Sequence, residues 1–422
     1  MFRVILWVLT RLLGSVSCVS GSSEGSRGWW SFAAGSVALA ALLIGSNLPT
    51  PLFPLYAQVY GLSPLMVTLL FATYALTVIP ALLIFGPLSD AKGRRELLTV
   101  AIGVAAIAAG LFAAATTVAV LFLAQAVQAC ALGALQGTAA PTLVEYDPSG
   151  QHRRASMIAS ALTVGGAAAG PLLAGVLAQY APLPQRLAYL VEIALLAIAL
   201  LAVRALLPHR SDRRPWQPRR PTVPAEIRRG FFVAGISAFV AWAVAGLFLS
   251  LIPSFVTDQL HHHNLALAGV VVALLLGPAA IVQLAGHRLP SLRAQMIGLI
   301  VMIAGVATLI AADAITCLSL LLVAAALSGI GQGLAFMGSL GDVTEIAPPD
   351  RKADIVASYY VVVYLGTALP AIGVGILTHT AGLSTAIEVF ASAVIVICLA
   401  ALAGLTLETH SRHHNTSGAS TE

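Results

Sequence analysis

Glu192 and Glu388 stand inside long apolar stretches of the chain, where an ionisable carboxyl costs several kcal/mol unless something uses it. The chemistry open to such a group is reversible proton binding. Both are therefore candidate proton carriers, with a structural or interfacial role as the other reading, one about two turns into the sixth apolar segment and the other just over a turn into the twelfth. A second concentration of charge is Gly86-Pro-Leu-Ser-Asp-Ala-Lys-Gly-Arg-Arg95, a compact turn between two apolar segments. Gly86 and Gly93 allow the chain to turn tightly, Asp90 can cap a helix or pair with a cation, and Arg94 and Arg95 can reach a neighbouring acid. Glu145 and Glu345 each close an apolar segment.

Catalytic chemistry is not indicated. The sequence shows no paired nucleophile and base, metal cluster or phosphate loop, and no Walker A pattern that would make ATP the direct energy source. The expectation is a protein that is not an enzyme and holds no cofactor or metal. His261-His262-His263 reads as a solvated external loop, since three consecutive histidines do not converge easily on one ion. Cysteines at 18, 130, 317 and 398 are scattered, which suggests packing residues rather than a disulfide framework or zinc site.

The elements that must position these residues follow from composition. The 422 residues are 59% hydrophobic and 9% charged, with mean hydropathy +0.92, against about 25% charged in soluble domains. Stretches long enough to cross a bilayer lie near 32–55, 65–86, 96–115, 118–144, 155–179 and 186–206, then near 231–255, 266–286, 294–313, 317–344, 353–378 and 384–405. They must be helices, because lipid offers backbone polar groups no partner and a barrel would show alternating runs instead. The predicted fold class is all-α integral membrane, with twelve transmembrane helices in two pseudo-symmetric six-helix bundles.

Basic residues set the topology. With both termini cytoplasmic, the cytoplasmic loops and termini hold all but Arg186 of the 22 basic residues. The net charge of +5 and pI near 9.2 are products of that bias and point to no nucleic acid. Residues 1–30 read as a cytoplasmic or interfacial extension, with a cleaved signal as the minor reading. The domains expected after it are a six-helix bundle over 31–206, a Pro- and Arg-rich cytoplasmic linker over 207–230, a second bundle over 231–405, and a disordered cytoplasmic tail over 406–422.

The chain is also an internal repeat. A shift of 200 residues places Leu121 over Leu321, Gly133 over Gly333 and Glu145 over Glu345. After two residues of slippage, Arg153-Arg154-Ala155 lies over Arg351-Lys352-Ala353. Two related bundles joined by a linker suit a rocker that holds its substrate at their interface.

Gly86-x-Leu88-Ser89-Asp90-x-x-Gly93-Arg94-Arg95 resembles the signature loop between helices two and three of the major facilitator superfamily, and the twelve-helix plan carries the likeness from about residue 31 to 405. The resemblance implies that this loop is a cytoplasmic latch, with Glu145 as partner acid and Glu345 as its equivalent in the other half. In the fifth segment, Gly166-x-x-x-Gly170-Pro171-x-x-Ala174-Gly175 is similar to the motif of the superfamily's drug:proton antiporters, with Met157 where that motif has a further glycine. It implies export. The fourth-segment motif of the family carries an arginine and, three residues on, a glutamine. This chain has Gln125 and Gln128, so the arginine tied to proton coupling is absent at the matching position.

The family's pathway helices give the candidate cavity residues: Asn47, Thr50, Tyr56, Tyr74, Gln128 and Gln136 in the first half, and Trp242, Phe248, Gln283, Gln332, Phe336, Tyr359, Tyr360 and Tyr364 in the second. Pro49, Pro51, Pro54 and Pro253 mark bent outer ends of helices one and seven, suited to gates. The inner halves of helices one, four, seven and ten show no carboxylate, which favours a neutral or lipophilic substrate over a strongly cationic one. The expected protein is a multi-pass transporter of the bacterial cytoplasmic membrane that exports a small hydrophobic or neutral compound, drug or metabolite, by alternating access driven by protons. Its partners are that substrate, protons and the bilayer, and one chain suffices as a monomer. The alternatives are an importer or facilitator of a small metabolite and a non-transporting membrane sensor, which would need a large soluble domain or long ordered loop.

Overall fold

The computed structural model of the chain describes residues 23–418 except 137, 139–141, 144, 148–151, 209–221, 261, 263 and 350. The start of the N-terminal extension, most of the linker, and His261 and His263 lie outside these residues, as does the side chain of Asp90. Among the described residues, twelve helical spans are long and apolar enough to cross a membrane. They are α1 (Ser23–Ser46), α2 (Pro64–Lys92), α3 (Arg94–Ala113), α4 (Val118–Gln136), α5 (His152–Tyr180), α6 (Leu187–Leu206), α7 (Arg228–Ser250), α8 (Leu265–Ala285), α9 (Ser291–Ala314), α10 (Leu318–Ile346), α11 (Lys352–Ala381) and α12 (Leu383–Gly418).

The repeat in sequence is a repeat in packing. In the first half, α1 packs on α5 and α6, α2 on α4, and α3 on α4 and α6; in the second half, α7 packs on α11 and α12, α8 on α10, and α9 on α10 and α12. The halves meet mainly through α5 against α8 and α2 against α11. The end of the bundle carrying the start of α1 and the loops α2–α3 and α4–α5 is here called the terminal side, and the opposite end the far side.

Proline breaks α1 and α7 near the far side. Helix α1 stops at Ser46 and resumes as a 3-10 turn at Thr50–Leu52 and a short helix at Phe53–Tyr60, across Pro49, Pro51 and Pro54. Helix α7 stops at Ser250 and resumes at Ile252–Asp258, with Pro253 in the first turn, where its missing N–H costs nothing.

Two boundaries differ from the sequence expectation. The charged turn is not a turn at Gly86, which lies within α2. Only Gly93 leaves helical geometry, at φ 93° and ψ 149°, so one left-handed residue makes the whole reversal. The residues after 405 continue α12 to Gly418 where a disordered tail was expected, since neither proline nor glycine interrupts that stretch after Gly404.

Small residues set the closest seams. Between α9 and α10, a Cβ on Gly305 would sit 2.5 Å from the amide nitrogen of Ser328, and one on Gly331 2.5 Å from that of Met302. Lipid supplies no hydrophobic drive between helices, so such backbone approach is what packs them.

Candidate functional site

The far side is where the halves are joined most tightly. A Cβ on Gly175 of α5 would lie 2.5 Å from the carbonyl oxygen of Leu265 at the start of α8, and one on Gly269 of α8 would run into the carbonyl oxygen of Pro171. Gln179 Oε1 accepts a hydrogen bond from the Leu265 amide at 2.8 Å, and Asn264 Nδ2 donates to the Tyr180 hydroxyl at 3.3 Å. Asn264 also caps α8 by accepting from the amides of Ala266 and Leu267. At the second seam a Cβ on Gly375 of α11 would run into the Thr68 hydroxyl of α2. The helix-five motif thus divides its labour: Gly166 and Gly170 admit α1, whose Leu43 and Ile44 lie against them, while Pro171 and Gly175 admit α8 of the other half.

Nearer the middle, polar and aromatic side chains face across the interface. The Gln136 amide of α4 donates to the Tyr364 hydroxyl of α11 in a very short contact. Tyr364 and Tyr360 pack with Tyr74 of α2 and Ala129 and Leu132 of α4. Tyr74 in turn hydrogen-bonds Ser46, where α1 breaks, and Asn47 donates to the same Ser46 hydroxyl at 3.2 Å. In the second half, Trp242, Phe336, Tyr359 and Tyr360 form a contiguous aromatic group: Trp242 meets Phe336 edge-on at 5.5 Å between centroids, and Phe336 contacts both tyrosines at 6.1 and 6.4 Å. The Trp242 indole N–H is buried there without an acceptor. Tyr359 is fully buried and shares a hydrogen bond with Ser339 at 2.7 Å, so it supports the group from behind.

Three further candidates are buried. Phe248 is wholly buried in the main packing cluster. Thr50 is buried in the 3-10 turn, which packs on α5 and α8. Gln332 is buried on α10 with 4% of its surface exposed.

On the terminal side, Arg94 Nε lies 2.5 Å from Glu145 Oε2, joining the start of α3 to the chain beyond α4. Arg94 Nη1 is buried with no partner. Arg95 turns away, donating from Nη2 to the carbonyl of Arg204 at 2.6 Å near the end of α6, where a cation suits the helix dipole. Glu345 accepts from the Ser291 hydroxyl at 2.8 Å, so the repeat-related acids have different donors.

The two membrane carboxyls are unlike. Glu192 is 1% exposed and Glu388 is exposed on α12. The buried carboxyl near Glu388 is Asp313 of α9, which accepts from Ser384 at 3.0 Å while Ser384 accepts from Gln259 at 2.7 Å. Asp342 of α10 is likewise buried. Both lie near helix ends. Glu192 faces α1 at Gly45, whose absent side chain leaves room for the carboxyl, and hydrogen-bonds Gln128 of α4.

One turn farther out, Tyr189 stacks on Phe112 at 4.8 Å and shares a 2.6 Å hydroxyl hydrogen bond with Tyr56, beyond the break in α1. Both tyrosines are at most 1% exposed. Replacing either one with phenylalanine strands the other hydroxyl, which is expected to cost about 1–3 kcal/mol. The double replacement, which strands nothing, should be close to neutral. Chemical unfolding of the protein in detergent checks this ordering.

A family model described as Major Facilitator Superfamily matches residues 35–371. No curated protein sequence matches the chain. Solved structures do match over nearly the whole length. A crystal structure of a mutant nucleoside transporter NupG superposes with a TM-score of 0.69 at 13% identity, covering 89% of this chain and 99% of that one. A bacterial homologue of the human lysosomal transporter Spinster, inward-facing and unoccupied, gives 0.67 at 17% identity over 92% of this chain and 97% of that one. The human organic anion transporter MFSD10 (TETRAN) gives 0.64 at 13% identity, covering 91% and 100%.

Proposed function

The chain belongs to the major facilitator superfamily and is a multi-pass membrane transporter, and from that premise we propose that it exports a small hydrophobic or neutral compound in exchange for protons. The observation that carries the reading is the far-side seam. Gly175 and Gly269 bring α5 and α8 into backbone contact across the two halves, and the same α5 stretch bears the antiporter-like motif. With the termini cytoplasmic, as the basic residues favour, this seam faces the exterior and is closed, leaving the terminal side as the entrance for a compound coming from the cytoplasm.

Substrate sits between Gln136, Tyr74 and Asn47 of the first half and Tyr364, Tyr360, Phe336 and Trp242 of the second. The aromatic faces supply apolar area, and the amides and hydroxyls fix orientation, the usual division in a small-molecule site. Closing the terminal side and opening the far seam moves the compound outward. Arg94, Glu145 and Gly93 belong to the latch that steadies the terminal side during this exchange, with Glu345 its counterpart. Any ligand drives the exchange only by the difference in its affinity for the two arrangements.

The test is proton movement in inverted membrane vesicles acidified inside. Adding a panel of lipophilic drugs and neutral metabolites is expected to alkalinise the interior for at least one of them. If energised cells accumulate a transported compound above the level in de-energised cells, the protein is an importer and the export reading fails.

A further inference from the structure

Glu192 is the one membrane carboxyl of the two read from the sequence that is enclosed by protein, and its surroundings are specific. Of the terminal atoms of Glu192 and Gln128, both Oε1 atoms are buried without a hydrogen-bond partner, although the two side chains are hydrogen-bonded to each other. Gln128 can donate only through its amide nitrogen, so one leg of the contact runs from that nitrogen to the carboxyl group. What remains is one buried acceptor on each side chain with no donor, where Glu192 Oε1 and Gln128 Nε2 both lie against Gly45 of α1.

An ionised carboxyl in this place has one neutral donor and no cation. The titratable groups around it are the phenols of Tyr189 on α6 and of Tyr56 and Tyr60 beyond the break in α1, which interact with one another and, for Tyr189, with Glu192. From α4 the group facing it is Gln128, and from α3 the neighbour of Tyr189 is the Phe112 ring. Burying a charge so poorly compensated is far more costly than burying a hydrogen-bonded neutral acid. A single hydrogen on Glu192 Oε1 supplies the missing donor. The acid and the amide then close a two-legged ring, each donating once and accepting once.

The geometry points to an acid–amide pair, Glu192 with Gln128, as the proton-binding site of this transporter, protonated when the far side is closed and read by the break in α1. The inference rests on the transport reading only for the word coupling; the protonated pair stands by itself. Gly45 immediately precedes Ser46, where α1 ends, and its carbonyl accepts from the Leu48 amide at 3.2 Å inside the turn. Any shift of α1 that opens the far seam alters the wall over Glu192. The O–H bond at Oε1 then breaks to water on the exposed side, and the carboxylate left behind disfavours return to the enclosed arrangement until a proton is bound again. No electron transfer or co-reactant is involved.

Infrared spectroscopy of the purified protein at neutral pH tests the pair without any substrate. The wild-type spectrum should contain a protonated-carboxyl carbonyl band that is lost in Glu192→Gln, and Gln128→Leu should keep the band but shift it, because the ring is broken. Absence of the band in the wild type, or its persistence in Glu192→Gln, overturns the proposal. In vesicles, Glu192→Gln carries a permanent donor in place of an exchangeable proton and should lose transport driven by a pH gradient. Retention of gradient-driven transport at the wild-type rate overturns the coupling role. Failure of every compound to move in the wild type strikes the transport reading and leaves the infrared result to judge the pair.

Discussion

Gly269→Leu will leave the far side of the bundle unable to close and will abolish most transport. A Cβ at Gly269 runs into the carbonyl oxygen of Pro171 and lies 3.1 Å from its carbonyl carbon, and the contacted atoms are backbone that cannot swing away. Overpacking of this kind costs about 1–3 kcal/mol, which depopulates the closed arrangement roughly 5- to 150-fold if the whole cost falls on that state. Gly277→Ala on the same helix is the control, because nothing lies within 4 Å of its Cβ position. Thiol labelling of a cysteine placed at Gln179 reads the outcome: faster labelling in the Gly269→Leu background, unchanged labelling in Gly277→Ala. Equal labelling in both would show that the seam is not a closed gate.

The second large effect is expected at the latch. Arg94→Ala removes the cation 2.5 Å from Glu145, and Glu145→Ala leaves Arg94 with neither this partner nor one for its buried Nη1. A charge-assisted contact is worth about 1.5–3 kcal/mol. Because the side chains are 26% and 29% exposed, solvent screening lowers this toward about 1 kcal/mol, about a fivefold change in an equilibrium. Each single replacement should therefore slow transport by roughly fivefold, and the double replacement should be no slower than either. Additive losses in that double-mutant cycle would mean that the two residues act separately. Arg95→Ala should cost less, since Arg95 supports the end of α6 rather than meeting the acid.

Much of the architecture is legible in the sequence. The count of helices follows from apolar length, the pairing of halves from the register of Glu145 with Glu345, and the breaks in α1 and α7 from proline. The rotation of each helix was not legible. In a soluble protein the polar stripe of a helix reveals which face is outside, but lipid and protein interior are both apolar here, so Glu192 and Glu388 occupy similar places in their repeats and face opposite surroundings. The same ambiguity hid Asp313 and Asp342 and placed Phe248 in the pathway when it belongs to the core. At Gly86, two glycines suggested a longer turn than the chain makes, because Gly93 alone supplies the left-handed residue while Pro80 and Pro87 remain within α2. The Gln128–Glu192 contact joins positions far apart in sequence, and no spacing rule connects them.

Export through this bundle requires the two halves to move apart across the α5–α8 seam, and a cross-link tests that most directly. With the native cysteines replaced, Gln179→Cys and Leu265→Cys would be bridged by a short, reducible thiol cross-linker, at the point where Gln179 now accepts from the Leu265 amide at 2.8 Å. Exchange of a transported compound should stop when the bridge forms and return when it is reduced. Exchange at the full rate through a protein shown to be completely cross-linked would contradict the account, because the compound would then leave by a route that does not open this seam.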